Sequence, residues 1–373
     1  MIEEGLFMIE SLMKKLFRSD IDRLTPYKPV APFDVLAEEL GIPPEKIVKL
    51  DANENPYGAS PKARAAIANF PFTHIYPDPA ARHLRAALSD YLSVPAENII
   101  VGSGADEVID MLLRLFINPG DAIINTPPTF GIYPIAGRLN RAQVIDVPRH
   151  PDDFSLDIPA IEQAVADNPH AKVLFLTSPN NPDGGITPLA DLKRLLALPV
   201  IVVWDEAYAE FCGQNTAPLT LEYPNLVVLR TFSKWAGLAG LRVGYGIFPA
   251  PIAEMMWRVK SPYNVNVLAQ EAALASLRDL DYLMDTVRKI VATRDKFQQQ
   301  VKSIGWLKTY PSHSNFVLAK VGGGRTAEAV QETLKRQGIL VRNYTPSGLH
   351  GHLRIAIGKP EDMARLLETL AGM

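Results

Sequence analysis

The sequence predicts an α/β protein with a large domain, in which helices sandwich a mostly parallel seven-stranded sheet, and a smaller α+β domain. From about residue 98 to residue 248, short apolar runs alternate with segments of helical pattern. Strands that alternate with helices imply a mostly parallel sheet with helices on both faces. From about residue 267 the pattern changes to longer helices followed by strands. The length of 373 residues also favours two domains over one core.

The predicted strands of the large domain are rich in Val, Ile and Leu and end in polar or glycine residues, as strands covered on both faces do. They lie at 98–101, 122–125, 143–147, 172–177, 200–204, 226–230 and 242–248, with helices at 106–116, 188–196 and 252–260. The C-terminal part predicts helices within 267–303, strands at 314–320, 340–341 and 353–357, and a helix from Glu361. We expect a large domain over 50–265, a small domain over 266–373, and an N-terminal arm over 1–49 that completes the small one.

Composition excludes several classes of function. The formal net charge is −3 and the basic residues are dispersed, so we expect neither nucleic acid nor a membrane surface as a partner. No window offers about 18 uncharged apolar residues, so no membrane-spanning helix is expected. The single cysteine, Cys212, cannot form an internal disulfide, and it excludes a zinc site built from a cysteine cluster. We expect a cytoplasmic protein without a metal site.

Residues 1–19 place apolar side chains at helical spacing. A secretory signal needs a basic start and an unbroken apolar stretch, whereas this segment begins with Glu3 and Glu4 and is interrupted by Glu10, Lys14 and Lys15. We therefore expect an amphipathic helix that lies on the protein or on a partner subunit.

The segment that most clearly indicates chemistry follows the predicted strand 226–230. It contains Lys234, two nearby hydroxyls, Thr231 and Ser233, and the guanidinium of Arg242. A lysine in this position can be desolvated, which lowers its pKa and frees the amine to attack a carbonyl. Hydroxyls and a planar guanidinium suit a phosphate. The alternative is a surface turn with a solvated lysine.

Three further segments follow predicted strands. Residues 101–107 join a strand to a helix through glycines, which lets free backbone N–H groups face an anion, although Asp106 and Glu107 equally suit an ordinary helix N-terminus. Residues 178–185 consist of turn formers, yet they follow a parallel strand at its ligand-binding end. Asp205 ends another strand, where it is either a helix cap or a buried carboxylate that needs a partner.

The order of these four segments resembles that of the fold type I pyridoxal-phosphate aminotransferases, from about residue 20 to the C-terminus. Further segments resemble histidinol-phosphate aminotransferases: 23–27, 50–58 with its Asn-Glu-Asn-Pro, 75–78 and 127–133. The resemblance implies pyridoxal 5'-phosphate as cofactor and a homodimer with shared active sites. It also implies transfer of an amino group between histidinol phosphate and 2-oxoglutarate, a step of histidine biosynthesis.

The resemblance also implies a role for each matching residue. Lys234 holds the cofactor covalently and carries the proton, while Asp205 pairs with the pyridine N–H. Phe130 stacks on the ring, and Asn181 and Tyr208 bind its phenolic oxygen. The implied phosphate ligands are the amides of Ala105 and Asp106, the side chains of Thr231, Ser233 and Arg242, and Tyr76 of the partner subunit. The implied substrate contacts are Tyr27, Asn53, Arg342 and Arg354, of which Arg354 is the better candidate for a carboxylate.

One residue departs from the resemblance, and three alternative functions remain. Asp183 occupies a position where the family usually has threonine; as a turn residue it should affect the reaction little, although it adds negative charge near an anionic substrate. The alternatives are an aromatic or other amino-acid aminotransferase, a threonine-phosphate decarboxylase of the same fold, and a non-catalytic cofactor-binding regulator. The regulator requires a DNA-binding domain, and the residues before Asp51 are too few and insufficiently basic for one.

Overall fold

The computed structural model describes residues 12–21, 24, 32–344 and 349–373. The strands are β1 (Val48–Leu50), β2 (Ile99–Gly102), β3 (Ala122–Asn125), β4 (Gln143–Asp146), β5 (Ala171–Thr177), β6 (Ile201–Asp205), β7 (Leu226–Thr231), β8 (Gly244–Ile247), β9 (Leu307–Thr309), β10 (Phe316–Val321), β11 (Ile339–Asn343) and β12 (His352–Ala356). The helices are α1 (Phe33–Leu40), α2 (Pro61–Asn69), α3 (Arg82–Leu92), α4 (Ala105–Phe116), α5 (Ile132–Leu139), α6 (Ile158–Asp167), α7 (Leu189–Leu195), α8 (Ala250–Val259), α9 (Val267–Leu277), α10 (Leu280–Gln300), α11 (Ala327–Arg336) and α12 (Pro360–Ala371). None of these helices is long and apolar enough to cross a membrane.

The larger sheet has seven strands in the order β2-β8-β7-β6-β5-β3-β4. Every neighbouring pair is parallel except those of β8, which runs antiparallel to both β2 and β7. The predicted α/β class with a mostly parallel seven-stranded sheet is therefore confirmed. The carboxyl ends of the parallel strands all lie at one edge of the sheet, where a ligand-binding site is expected.

The interior strands are apolar at successive positions because helices cover both faces of the sheet. In β6, Val202 and Trp204 pack into the core on one face, while Val203 packs into the core on the other. Successive side chains of a strand point to opposite faces, so both must be apolar here. The prediction that 143–147 is covered in the same way is wrong. Its strand, β4, is partly exposed because it lies at the edge of the sheet, where β3 is its one strand partner among the described residues.

The second sheet has five strands in the order β1-β11-β12-β10-β9. Strand β1 pairs in parallel with β11, and the remaining pairs are antiparallel. An N-terminal strand thus lies beside strands from the C-terminal part of the chain. Because β1 ends at Leu50, the residues that follow it lead directly from this sheet towards the strand ends of the larger one.

The N-terminal segment is only partly described. Residues 12–16 are helical, whereas residues 1–11 of the predicted amphipathic helix lie outside the described residues. The apolar side chains of Leu12, Leu16 and Phe17 are 58%, 70% and 60% exposed. Arg18 donates a hydrogen bond of 2.9 Å to the carbonyl of Leu139, at the end of α5.

Gly237→Ala is expected to lower the free energy of unfolding by about 2 kcal/mol or more. Gly237 has φ +68°, and a Cβ there would come within 2.4 Å of the Gly58 carbonyl. A bond of 2.8 Å from Asn55 Nδ2 to the Trp235 carbonyl holds the same two segments together. Thermal unfolding tests the prediction, with Gly305→Ala as control, since a Cβ at Gly305 meets nothing within 4 Å. Equal melting temperatures for the two variants would contradict it.

Candidate active site

A pocket of about 590 Å³ lies at the carboxyl ends of the central parallel strands. The last residues of β3, β5, β6 and β7 all line it: Asn125, Thr177, Asp205 and Thr231. The segment after β1 and residues of β11 and β12 form its other wall. The site therefore lies where open α/β sheets bind their ligands.

The pocket brings together most of the residues that the sequence indicated. Its lining includes Asn53, Ala105, Asp106, Phe130, Asn181, Asp205, Tyr208, Thr231, Ser233, Lys234, Arg242, Arg342 and Arg354. Tyr76 lies outside it, with 78% of its surface exposed and its ring stacked on Tyr263 at 4.6 Å. Tyr27 lies outside the described residues.

The amine of Lys234 lies where burial and a nearby positive charge disfavour its own charge. Its Nζ donates a hydrogen bond of 3.3 Å to the carbonyl of Ala52. Burial, and then the positive charge of Arg354, lower the pKa of Lys234 from its ordinary value of 10.5 to about 8. A lysine of this kind is a neutral nucleophile at only mildly alkaline pH, as covalent attack on an aldehyde requires.

We expect Lys234 in the cofactor-free protein to react with aldehydes as an amine of pKa about 8. The rate should rise about tenfold per pH unit below this value and level off above it, because only the neutral amine attacks. Between about pH 8 and 10.5 the unfolded chain binds a proton at Lys234 that the folded chain does not, so this lysine alone contributes an increase in the free energy of unfolding with pH.

Borohydride trapping followed by peptide mass spectrometry measures the Lys234 rate across this pH range. The urea-unfolded chain is the control, in which the profile should move to about 10.5. A folded-state profile centred on the ordinary value would mean that the amine is not desolvated.

Asp205 is a buried carboxylate that no ion pair within 4.0 Å neutralises among the described residues. Its Oδ2 accepts a hydrogen bond of 2.7 Å from the Tyr133 hydroxyl, and its Oδ1 accepts one of 2.9 Å from the Ala207 N–H. Burial raises the pKa of Asp205 to about 6, against the lowering effect of these two bonds. A buried carboxylate in this state favours a cationic partner, such as a protonated ring nitrogen.

Tyr133 is a site residue that sequence reasoning missed. Its hydroxyl also lies 2.8 Å from the Thr177 hydroxyl, and its ring stacks on Phe175 at 4.6 Å. Tyr133 belongs to the same segment as Phe130, and the resemblance implied a role only for Phe130. The available signal was a tyrosine at the start of an otherwise apolar helix that follows a strand end.

One end of the pocket is suited to a phosphate. Helix α4 begins at Ala105, after Gly104 with φ +81°, and a Cβ at Gly104 would lie 2.5 Å from Arg242 Nη2. The Thr231 and Ser233 hydroxyls line the same pocket. Helix N–H groups, hydroxyls and a guanidinium are the usual donors to phosphate oxygens.

The two acidic residues at this end lie differently. The Glu107 carboxylate turns back to accept from the Ser103 N–H and from Asn264, whereas the Asp106 carboxylate pairs with Arg242 Nη2 at 2.8 Å. Asp106 therefore holds Arg242 at the edge of the pocket.

The opposite wall carries two arginines. Arg342 and Arg354 are register partners on β11 and β12. Arg354 donates to Asn181 Oδ1 at 2.7 Å and to the carbonyl of Asp51 at 2.8 Å, and its buried Nε has no hydrogen-bond partner within the described part of the chain. Neighbouring guanidinium groups suit an oxyanion. Tyr344, whose hydroxyl accepts from Arg354 at 2.9 Å, and Asp51 are further residues that the sequence did not reveal.

Asn53 and Tyr208 join the two walls. Asn53 Nδ2 donates a hydrogen bond of 3.0 Å to the Tyr208 hydroxyl, and the Asn53 carbonyl accepts one of 2.9 Å from Asn315. Burial raises the pKa of Tyr208, so its phenol stays protonated. The pocket as a whole fits a molecule with an anionic group at one end, an aldehyde near Lys234 and a basic ring nitrogen near Asp205.

The fold and this pocket define an aminotransferase. The family model of aminotransferase class I and II matches residues 45–370, nearly the whole chain. A solved aspartate aminotransferase from Thermus thermophilus, with maleate, shares the fold with a TM-score of 0.81 at 23% identity, over 95% of this chain and 99% of that one.

Relatives with higher sequence identity identify the family within this class of aminotransferases. Histidinol-phosphate aminotransferase from Roseiflexus castenholzii is 47% identical over 95% of this chain and 97% of its own length, and the chloroplastic enzyme of Nicotiana tabacum is 47% identical over 95% and 85%. The solved enzyme of Sinorhizobium meliloti, in complex with pyridoxal-5'-phosphate, has a TM-score of 0.83 at 26% identity, over 96% of this chain and 98% of that one. The chain belongs to the histidinol-phosphate aminotransferase family.

Proposed function

We propose that the protein transfers the amino group of histidinol phosphate to 2-oxoglutarate, with pyridoxal 5'-phosphate as cofactor. The products are imidazole acetol phosphate and glutamate, and the reaction is a reversible step of histidine biosynthesis. The observation that carries the proposal is one pocket that holds the desolvated amine of Lys234 and the buried carboxylate of Asp205 between a phosphate-binding end and two arginines. The relatives at 47% identity support the choice of substrate.

When bound, the cofactor supplies an electron sink for the charge left on the substrate carbon after it loses a proton. Lys234 would hold the cofactor through its aldehyde, and its amine, when free, would remove the proton from the substrate carbon and return it. Asp205 keeps the ring nitrogen protonated, with Tyr133 fixing the carboxylate. Proton transfer by a positioned group of this kind typically contributes about 10²–10⁴-fold.

Other residues bind and orient. We assign the cofactor phosphate to the amides of Ala105 and Asp106 and to the side chains of Thr231, Ser233 and Arg242. We assign the ring to Phe130, Asn181 and Tyr208. Arg354 and Arg342 bind the substrate oxyanion, a carboxylate in one half-reaction and a phosphate in the other. We assign Asn53 and Tyr27 to the substrate as further contacts.

We further propose a cytoplasmic homodimer in which Tyr76 of the partner subunit reaches the cofactor phosphate. An exposed apolar patch supports an interface there, since Phe72, Ile75 and Tyr76 are 53%, 54% and 78% exposed around one surface depression. The proposed division is an arm over 1–49, a large domain over 50–265 and a small domain over 266–373. The pairing of β1 with β11 supports an arm that belongs to the small domain.

The visible absorption spectrum of the purified, cofactor-loaded protein tests the function. We expect the absorption band of the lysine-bound cofactor to bleach when histidinol phosphate is added and to return with 2-oxoglutarate, with one glutamate formed per bleached site. Phenylalanine and threonine phosphate are the comparison substrates. Faster bleaching by phenylalanine would favour an aromatic aminotransferase, and carbon dioxide from threonine phosphate would favour a decarboxylase. If the purified protein binds no pyridoxal 5'-phosphate, the proposed function is wrong.

A further inference from the structure

A buried polar cluster lies behind the wall of the pocket without lining it. It consists of Asn180, Asp183 and Arg149, which are 0%, 2% and 6% exposed. As a turn residue, Asp183 was expected to affect the reaction little and to add charge near the substrate. The structure instead directs its carboxylate away from the pocket and into this cluster.

The side chain of Asn180 makes two hydrogen bonds to the loop that contains Phe130. Its Nδ2 donates a hydrogen bond of 3.0 Å to the carbonyl of Pro128, and its Oδ1 accepts one of 2.9 Å from the Thr129 hydroxyl. Both partners directly precede Phe130, and both line the pocket with it. The orientation of one buried amide therefore decides whether both bonds form, because rotating the amide by 180° exchanges its donor and acceptor ends.

Asp183 fixes that orientation. Its Oδ1 accepts from Asn180 Nδ2, and its Oδ2 accepts from the Gly185 N–H at 2.7 Å. An ionised carboxylate only accepts hydrogen bonds, so it admits the Nδ2 end of Asn180 and excludes the Oδ1 end. A threonine hydroxyl both donates and accepts, and imposes no such choice.

Arg149 favours the ionised form of Asp183. Burial raises the pKa of this carboxyl, and the charge of Arg149 opposes the rise. Arg149 also binds the loop that contains Phe130. Its N–H donates to the Pro127 carbonyl at 2.8 Å, and its Nε donates to the Thr126 carbonyl at 3.2 Å. Its buried Nη2 has no hydrogen-bond partner among the residues that the structure describes, so the guanidinium keeps a donor that the loop carbonyls do not use.

We propose that Asp183, supported by Arg149, is a positioning residue: it orients the Asn180 amide and thereby holds residues 127–131, with Phe130, in place at the pocket. The inference rests on the proposed function only in that the pocket binds the cofactor. It predicts that residues 127–131 are held best when the side chain at position 183 only accepts hydrogen bonds.

The test compares two variants of similar size, Asp183→Asn, which keeps an acceptor, and Asp183→Leu, which has none. In Asp183→Leu we expect amide hydrogen exchange in the peptide 126–135 to be about tenfold faster, in cofactor-free and loaded protein alike, since losing a buried partner costs about 1–3 kcal/mol. The visible circular dichroism of the bound cofactor should weaken, and kcat/KM should fall about tenfold. Asp183→Asn should recover only part of each change, because its amide keeps one acceptor but also presents a donor that admits the reversed Asn180 orientation.

Val165→Ala, a buried substitution outside the pocket lining, controls for a general loss of stability. If Asp183→Leu does not fold, Asp183→Ala provides the same test without added bulk. The proposal is wrong if the acceptor-free variant matches Val165→Ala in exchange and dichroism, or if Asp183→Asn is no better than Asp183→Leu. A wild-type protein inactive on histidinol phosphate counts against the proposed substrate and leaves the exchange comparison valid.

Discussion

Lys234→Ala is expected to lower kcat/KM for histidinol phosphate by at least about 10⁴-fold, because the variant loses both the covalent attachment point and the proton carrier. No second lysine lines the pocket among the described residues. Steady-state kinetics with coupled detection of glutamate gives the size of the loss. The visible band of the lysine-bound cofactor should disappear in the same variant.

Two controls separate this loss from a general defect. Lys172→Ala removes an exposed lysine near the amino end of β5, far along the strand from the site, and should leave turnover unchanged. Added methylamine should restore part of the Lys234→Ala activity, because a small amine that diffuses into the vacated space can carry the proton. Turnover of Lys234→Ala within tenfold of wild type would remove the basis of the mechanism.

Asp205→Asn is expected to lower kcat by about 10²–10³-fold, the usual effect of removing one electrostatic contact to developing charge. Asparagine has nearly the same shape, and it can accept from the Ala207 N–H while its amide donates to the Tyr133 hydroxyl, so the loss measures mainly the charge. The same change relieves a buried, unpaired carboxylate with a pKa of about 6. The cofactor-free variant should therefore be more stable than wild type at pH 7, by about 3 kcal/mol at most.

Tyr133→Phe is the matched comparison for Asp205→Asn. It keeps the carboxylate but removes one bond that lowers the pKa of Asp205, so that pKa should rise above 6. We expect a loss of activity of about tenfold, well short of that in Asp205→Asn. Equal losses in the two variants would show that the hydroxyl, and not the charge, is what the site needs.

Local patterns along the sequence were sufficient to predict the strand-end residues. Asp205 and Lys234 each follow an apolar run that is covered on both faces, and parallel strands bring their carboxyl ends to one edge. Contacts between distant parts of the chain could not be predicted in this way. Arg354 reaches the Asp51 carbonyl across a separation of 303 residues, and nothing near either residue indicates the other.

Asp183 illustrates the same limit within a single turn. Its neighbours are turn formers, so the local sequence predicts a turn residue and does not indicate a buried carboxylate. Its carboxylate accepts from Asn180 and is influenced by the charge of Arg149, which comes from the loop after β4. Strand β4 shows the same limit for a strand. It is partly exposed because it lies at the edge of the sheet, and an apolar run in the sequence does not indicate whether its strand is central or at an edge.

The pairing of β1 with β11 has a consequence for the order of events during protein synthesis. The ribosome makes residues 48–50 early, but their partner strand only after nearly all of the chain has been translated. The segment that supplies the Ala52 carbonyl to Lys234 directly follows β1, so the strand pairing that holds its N-terminal side forms only then. A nascent chain that already contains every strand of the larger sheet is therefore still catalytically incomplete, and truncation before residue 339 should leave its N-terminal strand without a neighbour.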